Sequence, residues 1–271
     1  DNGDHIGGYT GFLKSIGHAI RLRKPTRCIV VFDGKGGSAR RRKLFPDYKM
    51  KKNVRFRVNR ALSLDLDQTE ESSSMKYQIV KLIQYLNMLP VTTICMDNVE
   101  ADDVMALLAR SYFSGLGKKC TIMSTDKDFL QLVDDDVTVY SPTKRTVYTP
   151  EKVSHEYGIH PNNFLLYRTI DGDRGDNIDG MKGVGEKKLK AAFPELATDT
   201  QINREDLIKI SEDKLKEMPL YKNFLKEDNQ QLLKRNYDLM QLKDSILPAS
   251  MQTKVFDHLD SPVTELNKFE F

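Results

Sequence analysis

The sequence predicts an α/β fold, a mostly parallel central sheet flanked by helices, followed by a helical second part. Three observations carry this. Short apolar runs alternate with helical apolar periodicity as far as about residue 140. Beyond about residue 149 the strand-like runs stop, and short helical segments follow, punctuated by Pro150, Pro161, Gly180, Gly183, Gly185, Pro194 and Pro219. The chain has 271 residues, 39% of them hydrophobic and 30% charged, enough to bury a substantial core in one large domain or two smaller ones.

The expected strands are 27–33, 91–96, 119–125 and 137–140, and the expected helices between them are 10–22, 75–87 and 101–113. In the second helix Ile79, Leu82, Ile83, Leu86 and Leu89 form an apolar stripe suited to packing on a sheet. Residues 50–74 lack such a stripe, pass from a basic block to a polar run, and read as an insertion. The expected domains are therefore an α/β unit at 1–149 and a helical unit with a tail at 150–271.

No stretch approaches the roughly 18 consecutive apolar residues of a membrane helix, and the polar start has no apolar signal core. The expectation is a monomer in the cytoplasm with no membrane partner. Cys28, Cys95 and Cys120 sit singly in short apolar runs, without a CxxC pair, and read as reduced core residues.

The net charge of +3 conceals a segregation of charge. Lysines and arginines crowd 35–60, including Arg41, Arg42 and Lys49, against the single acid Asp47. Acids gather elsewhere: Asp33, then Glu100, Asp102 and Asp103, then Asp126 and Asp128, then Asp171, Asp173, Asp176 and Asp179. Such zones suit a protein that holds a polyanion with one and metal ions with the other.

Ligands of open α/β sheets bind at the carboxyl ends of strands, and three of the acidic groups follow expected strands. Each also has a plainer reading: Asp33-Gly34 as a turn, the acids at 100–103 as partners of a helix dipole, Asp126 as an N-cap. Their coincidence favours a shared site, because converging carboxylates repel one another and hard divalent ions relieve that repulsion. The loop Asp171-Gly172-Asp173-Arg174-Gly175-Asp176 has calcium-loop spacing but lacks the glutamate at its twelfth position, where Lys182 stands. It reads instead as a source of Asp173 and Asp176 for the same cluster.

Next comes Gly183-Val184-Gly185, set among Lys182, Lys187, Lys188 and Lys190 before a helical segment. A Gly-x-Gly turn at a helix start brings backbone N–H groups to a phosphate, so a helix-hairpin-helix grip on a nucleic-acid backbone is expected. In the basic block, Tyr48 could stack on a base and Lys49 could neutralise charge at a scissile phosphate; the plain alternative is a solvated basic face.

With these residues assembled, the chain resembles the 5'-nuclease superfamily of flap endonucleases, the 5'-nuclease domain of bacterial DNA polymerase I, and phage exonucleases including phage-type ribonuclease H. The motifs, in order, are VVFDG at 30–34, LFPDYK ending at Lys49, VEADD at 99–103, STDKDF at 124–129 and GDRGDNIDGMKGVGEK at 172–187. The resemblance implies a PIN-like 5'-nuclease fold with a helical arch at about 50–74. It implies metal binding by Asp33, Glu100, Asp102, Asp103, Asp126, Asp128, Asp173 and Asp176, with catalysis resting on Lys49 together with Asp33, Glu100, Asp102, Asp103 and Asp126. DNA binding falls to Arg41, Arg42, Tyr48, Lys49, Lys182, Gly183, Gly185, Lys187 and Lys188.

The resemblance further implies two Mg2+ ions, replaceable by Mn2+, and two-metal hydrolysis near 5' ends of a DNA flap or an RNA/DNA primer duplex. In the family the hairpin often holds a K+ ion. The family also begins with a strand ending in another metal-binding aspartate, and no such strand precedes the helix near Thr10 here. A catalytically impaired, structure-specific DNA-binding protein is therefore the alternative. A PIN-type ribonuclease would share the sheet and acids but not the hairpin or the arch. The end Phe269-Glu270-Phe271 resembles the tails with which phage replication proteins engage a sliding clamp, and it reads equally as an apolar terminus packing on the domain. A phage origin would place the protein in the bacterial host cytoplasm.

Overall fold

The computed structural model describes residues 6–50, 68–242 and 247–260. Residues 51–67 of the expected arch, the first five residues and the tail with Phe269, Glu270 and Phe271 lie outside them, whereas 68–74, also expected in the arch, open a helix. The chain forms two compact units, one of Asp1–Phe32, Lys51–Cys95 and Thr253–Phe271, the other of Asp33–Met50 and Met96–Gln252.

In the first unit, helices α1 (Gly7–Arg23) and α3 (Gln68–Asn87) pack with strands β1 (Ile29–Asp33) and β2 (Thr92–Met96), a two-stranded sheet whose last residues, Asp33 and Met96, belong to the second unit. Ile16, Val30, Leu82 and Leu86 make its core, with Leu82 and Leu86 coming from the predicted helical stripe. Arg27 ties the unit's ends together by donating to Thr92 Oγ1 and to the Leu259 carbonyl, the latter at 2.6 Å.

The second unit holds a three-stranded sheet in the order β3 (Cys120–Met123), β4 (Val137–Ser141), β5 (Thr146–Tyr148). Strands β3 and β4 are parallel, with Cys120 opposite Val137, whereas β4 and β5 are antiparallel, with Val139 opposite Tyr148. The short β5 was not expected, since its three residues carry too little pattern to separate a strand from a turn. Around this sheet stand α4 (Ala101–Leu107), which runs on as a wider π-type turn through Phe113, then α5 (Pro150–Tyr157), α6 (Pro161–Asp171), α7 (Glu186–Ala192), α8 (Arg204–Asp213) and α10 (Glu227–Met240). A short α9 (Tyr221–Phe224) precedes α10, and α2 (Ala39–Leu44) follows β1.

One core serves the sheet and these later helices. Ile122, Leu132, Val137 and Val139 share it with Phe164, Leu189, Phe193 and Leu207. Burial therefore continues across residue 149, where the sequence changes character, and the boundary between the two compact units follows a different line. The edge-on rings of Phe193, Tyr221 and Phe224, with centroids 4.8–5.5 Å apart, anchor α7 and α9 to that core.

Among the described residues no helix is long and apolar enough to cross a membrane. Cys28 and Cys120 pack, partly buried, against the two cores, but Cys95 is exposed. On β2 side chains alternate, so Ile94 turns inward, fully buried, and Cys95 outward.

Candidate metal centre

The site lies in the second unit, and backbone geometry places its acids. Strand β1 delivers Asp33, whose carboxylate accepts from the Ala101 N–H at 2.8 Å, at the amino end of α4. This approach is possible because residue 34 is glycine: a Cβ there would lie 1.7 Å from the Met96 carbonyl oxygen. The acids at 100–103 open α4, where the unpaired N–H groups favour negative charge.

Glu100, Asp102 and Asp103 form a group whose ligand atoms lie within 4.8 Å of one another. Glu100 and Asp103 are buried. They are tolerated because Arg41, on α2, is buried among them. Its guanidinium donates to Glu100 Oε2 at 2.5 Å and to both Asp103 oxygens at 2.8 and 2.9 Å, and its Nε donates to the Leu239 carbonyl on α10. Arg41 was expected on the nucleic-acid surface. It is instead 2% exposed, because the bidentate fork matches the carboxylates and offsets the cost of burying them.

Tyr48 corrects the sequence reading in the same way. It is buried beside Leu165, Ile178 and Leu239, so its ring has no face free to stack on a base. Its hydroxyl lies 3.2 Å from Glu100 Oε1 and 3.3 Å from Asp176 Oδ2, joining two predicted ligands. Burial first, then the nearby Glu100, holds the phenol protonated.

Lys49 adopts a left-handed backbone, φ 53°, which is costly for a residue with a Cβ. Its N–H donates to the Asp176 carbonyl and its Nζ to Glu100 Oε1 at 2.6 Å. The side chain is still 37% exposed. Burial opposes its charge, but Glu100 and Asp176 outweigh that and raise its pKa.

The remaining acids form a second group. Asp126 caps the short helical turn at 127–132, its Oδ1 accepting from the Asp128 N–H, so the capping role read from the sequence is filled alongside any other. Asp173 Oδ1 accepts from the N–H groups of Gly175 and Asp176, within a loop closed by paired backbone bonds between Asp173 and Ile178. Gly180 seals this loop, since a Cβ there would lie 2.1 Å from the Asp171 carbonyl oxygen.

Sequence reasoning missed Arg168. It is buried on α6, donating to Asp128 Oδ1 and Asp173 Oδ2 at 2.6 Å each and to the Gly172 carbonyl at 3.0 Å. A signal was available: a lone arginine directly after the apolar run Phe164-Leu165-Leu166-Tyr167, three residues before Asp171. Such a residue is buried only with partners.

Of the eight predicted ligands, then, Glu100, Asp102 and Asp103 converge directly. Asp176 reaches Glu100 through Tyr48, Asp128 and Asp173 meet through Arg168, and Asp33 and Asp126 hold backbone N–H groups of Ala101 and Asp128. Arg42, Lys182, Gly183, Gly185, Lys187 and Lys188 are exposed. Gly183 has φ 79° and Gly185 is the N-cap of α7, with open space where a Cβ would point from either.

Known proteins share this architecture. A family model described as the 5'-3' exonuclease, N-terminal resolvase-like domain matches residues 1–158, and the chain belongs to this family. A 5'-3' exonuclease of Aquifex aeolicus is 33% identical over 177 residues, 65% of this chain and 55% of that protein. A DNA polymerase I of Mycobacterium tuberculosis is 32% identical over 181 residues, 65% of this chain and 18% of that one. The match thus spans about half the length of the first of these relatives and about a fifth of the second. T5 5'-exonuclease with bound zinc superposes with a TM-score of 0.72 at 22% identity, over 96% of this chain and 92% of that one, which establishes the fold.

Burial holds two of the carboxyls above their ordinary range. Asp102 is pushed up to about 7 by burial first, with Asp103 and Glu100 adding to the shift against Arg41. Asp128 is pushed up to about 6, again by burial, against Arg168. Glu100 is held low by Arg41 and Lys49 despite its burial. A carboxylate raised on folding opposes folding once ionised, a penalty absent below its ordinary range and complete above its folded value. Metal-free protein in EDTA should therefore gain thermal stability as pH falls from about 8 to about 6. The variant D102N should raise the midpoint at the higher pH by about 2–4 °C, the effect of about 1 kcal/mol in a chain of this size. A wild-type midpoint that drops over the same interval would contradict this.

Proposed function

We propose that the protein is a metal-dependent, structure-selective 5'-3' exonuclease and flap endonuclease. The substrates are DNA flaps or RNA/DNA primer duplexes, and the biological setting is primer or flap removal in replication. The observation that carries this reading is the convergence of Glu100, Asp102 and Asp103 with Lys49 at 2.6 Å from Glu100, in a chain of the 5'-3' exonuclease family.

The donor chemistry fits a divalent metal. All candidate ligands are carboxylate oxygens, the preference of hard cations such as Mg2+ or Mn2+. Glu100, Asp102 and Asp103 crowd together beside Arg40, Arg41 and Lys49, and burial with this crowding raises Asp102. We assign the holding of two ions to Asp33, Glu100, Asp102, Asp103, Asp126, Asp128, Asp173 and Asp176. Such ions supply a bound water of lowered pKa and charge neutralisation at the leaving oxygen.

The chain's own residues do the rest. Glu100 and the left-handed backbone fix Lys49, whose part-exposed ammonium can meet charge developing on a scissile phosphate. Tyr48 holds Glu100 and Asp176 at a set separation, and Arg41 keeps Glu100 ionised and holds Asp103 in place. No covalent nucleophile is required. The exposed Gly183–Gly185 turn with Lys182, Lys187 and Lys188 is assigned the duplex backbone, and a K+ ion held by its carbonyls belongs to the same reading. Arg42 offers a further exposed cation. The arch at 50–74 would pass a 5' single strand, and the tail Phe269-Glu270-Phe271 would engage a sliding clamp. The setting proposed for all of this is the cytoplasm.

Cleavage of a 5'-labelled flap duplex tests the reading. We expect cutting in Mg2+, none in EDTA, and at least about a hundredfold slower cutting by Asp126→Asn with duplex affinity kept. Binding without cutting by the wild type would favour an impaired, structure-specific DNA-binding protein, and unchanged turnover of the variant would remove Asp126 from the site. For the turn, Lys187→Ala with Lys188→Ala should weaken duplex binding and lower the magnitude of its salt slope by about 2, roughly one for each phosphate no longer neutralised. An unaltered slope would assign duplex binding elsewhere.

A further inference from the structure

The second carboxylate group has to be held together before any metal ion can relieve its repulsion. Asp128 stands on the turn at 127–132 and Asp173 on the loop at 172–180, two segments separated in sequence and carrying like charges. Asp126 adds to the repulsion. What joins them is Arg168, which reaches both at 2.6 Å from different sides of its guanidinium, Nε to Asp128 and Nη2 to Asp173, while Nη1 fixes the Gly172 carbonyl at 3.0 Å. The arginine is anchored by α6, whose neighbouring residues Tyr167, Thr169 and Ile170 are buried. It therefore forms a rigid crossbar rather than a mobile surface cation.

We propose that Arg168 is a positioning residue for the second carboxylate group, setting the separation of Asp128 and Asp173 before any ion arrives. The inference rests on the metal-dependent reading. A guanidinium has a planar fork able to hold two carboxylates at once; a lysine ammonium at the same place carries the charge but not the fork. Groups that orient metal ligands in this manner alter metal affinity when replaced, commonly by about 10- to 100-fold. A purely structural ion pair would instead lower the melting temperature and leave the affinity of the folded protein unchanged.

The test is direct Mn2+ binding to the metal-free protein, followed by calorimetry or electron paramagnetic resonance, with melting curves in EDTA recorded beside it. Arg168→Lys should remain folded and bind at least one Mn2+ ion about tenfold more weakly than wild type. Arg168→Ala should show a larger loss, partly restored by ethylguanidinium at non-denaturing concentration. The same rescue should lower the Mn2+ concentration needed for half-maximal cleavage. Should Arg168→Lys not fold, the alanine variant with ethylguanidinium decides the question, and no recovery of Mn2+ affinity in folded protein would overturn the proposal. Wild-type affinity in Arg168→Lys would overturn it as well. Absence of Mn2+ binding by the wild type would be a different result, sinking the metal reading and this inference together.

Discussion

Carboxylates brought together at the end of a sheet repel one another, and the buried guanidinium of Arg41 relieves that repulsion for Glu100, Asp102 and Asp103 at once. Much of the local architecture serves this interaction. Helix α2 exists over only six residues yet carries the arginine inward, α10 supplies the Leu239 carbonyl that fixes its Nε, and α4 presents the acids from its first turn. Breaking a buried pair of this kind by removing one partner costs about 3–5 kcal/mol, so the acidic site and the stability of the unit are tied to the same residue. Arg168 repeats the device for Asp128 and Asp173.

Function draws on what those cations leave unfinished. Glu100 is satisfied by Arg41, Lys49 and Tyr48, whereas Asp102, at 3.5 Å from Arg41, lacks a close cationic partner of its own and is the acid most reluctant to ionise. Internal ion pairs set the walls of this site, and Asp102 is the least closely paired of the three acids. Lys49 belongs to both parts. Its backbone is locked by Asp176, its ammonium is held by Glu100, and its side chain is still part-exposed.

The fold class and the acids were legible in the sequence because their signals are local: an apolar run ending in Asp33-Gly34, acids opening a helix at 100–103, a turn of Asp173 and Asp176 sealed by glycine. The four longer strands and the three early helices follow the expected periodicity to within a few residues at most ends, α3 alone starting well before its expected residue. What the sequence concealed was direction. Arg41 and Tyr48 look like surface residues of a basic block, since nothing in a linear reading separates the buried Arg41, or Arg40 with its buried Nε and Nη2, from the exposed Arg42. Only the distant acids at 100–103 decide it. Arg168 was hidden for the opposite reason, a single charge in a helix whose other residues signal core. Cys95 was misplaced because a five-residue strand with one covered face buries alternate side chains, not all of them.

We propose that a divalent cation completes a carboxylate site whose acids are already held by buried Arg41 and Arg168. This is tested most directly by anomalous diffraction from crystals of the protein soaked with Mn2+ and compared with crystals kept in EDTA. A manganese peak should appear bounded by oxygens of Asp102 and its neighbours, with Arg41 in the same place with and without the ion. No peak at these carboxylates, or an acidic cluster that comes apart when the metal is withheld, would contradict it.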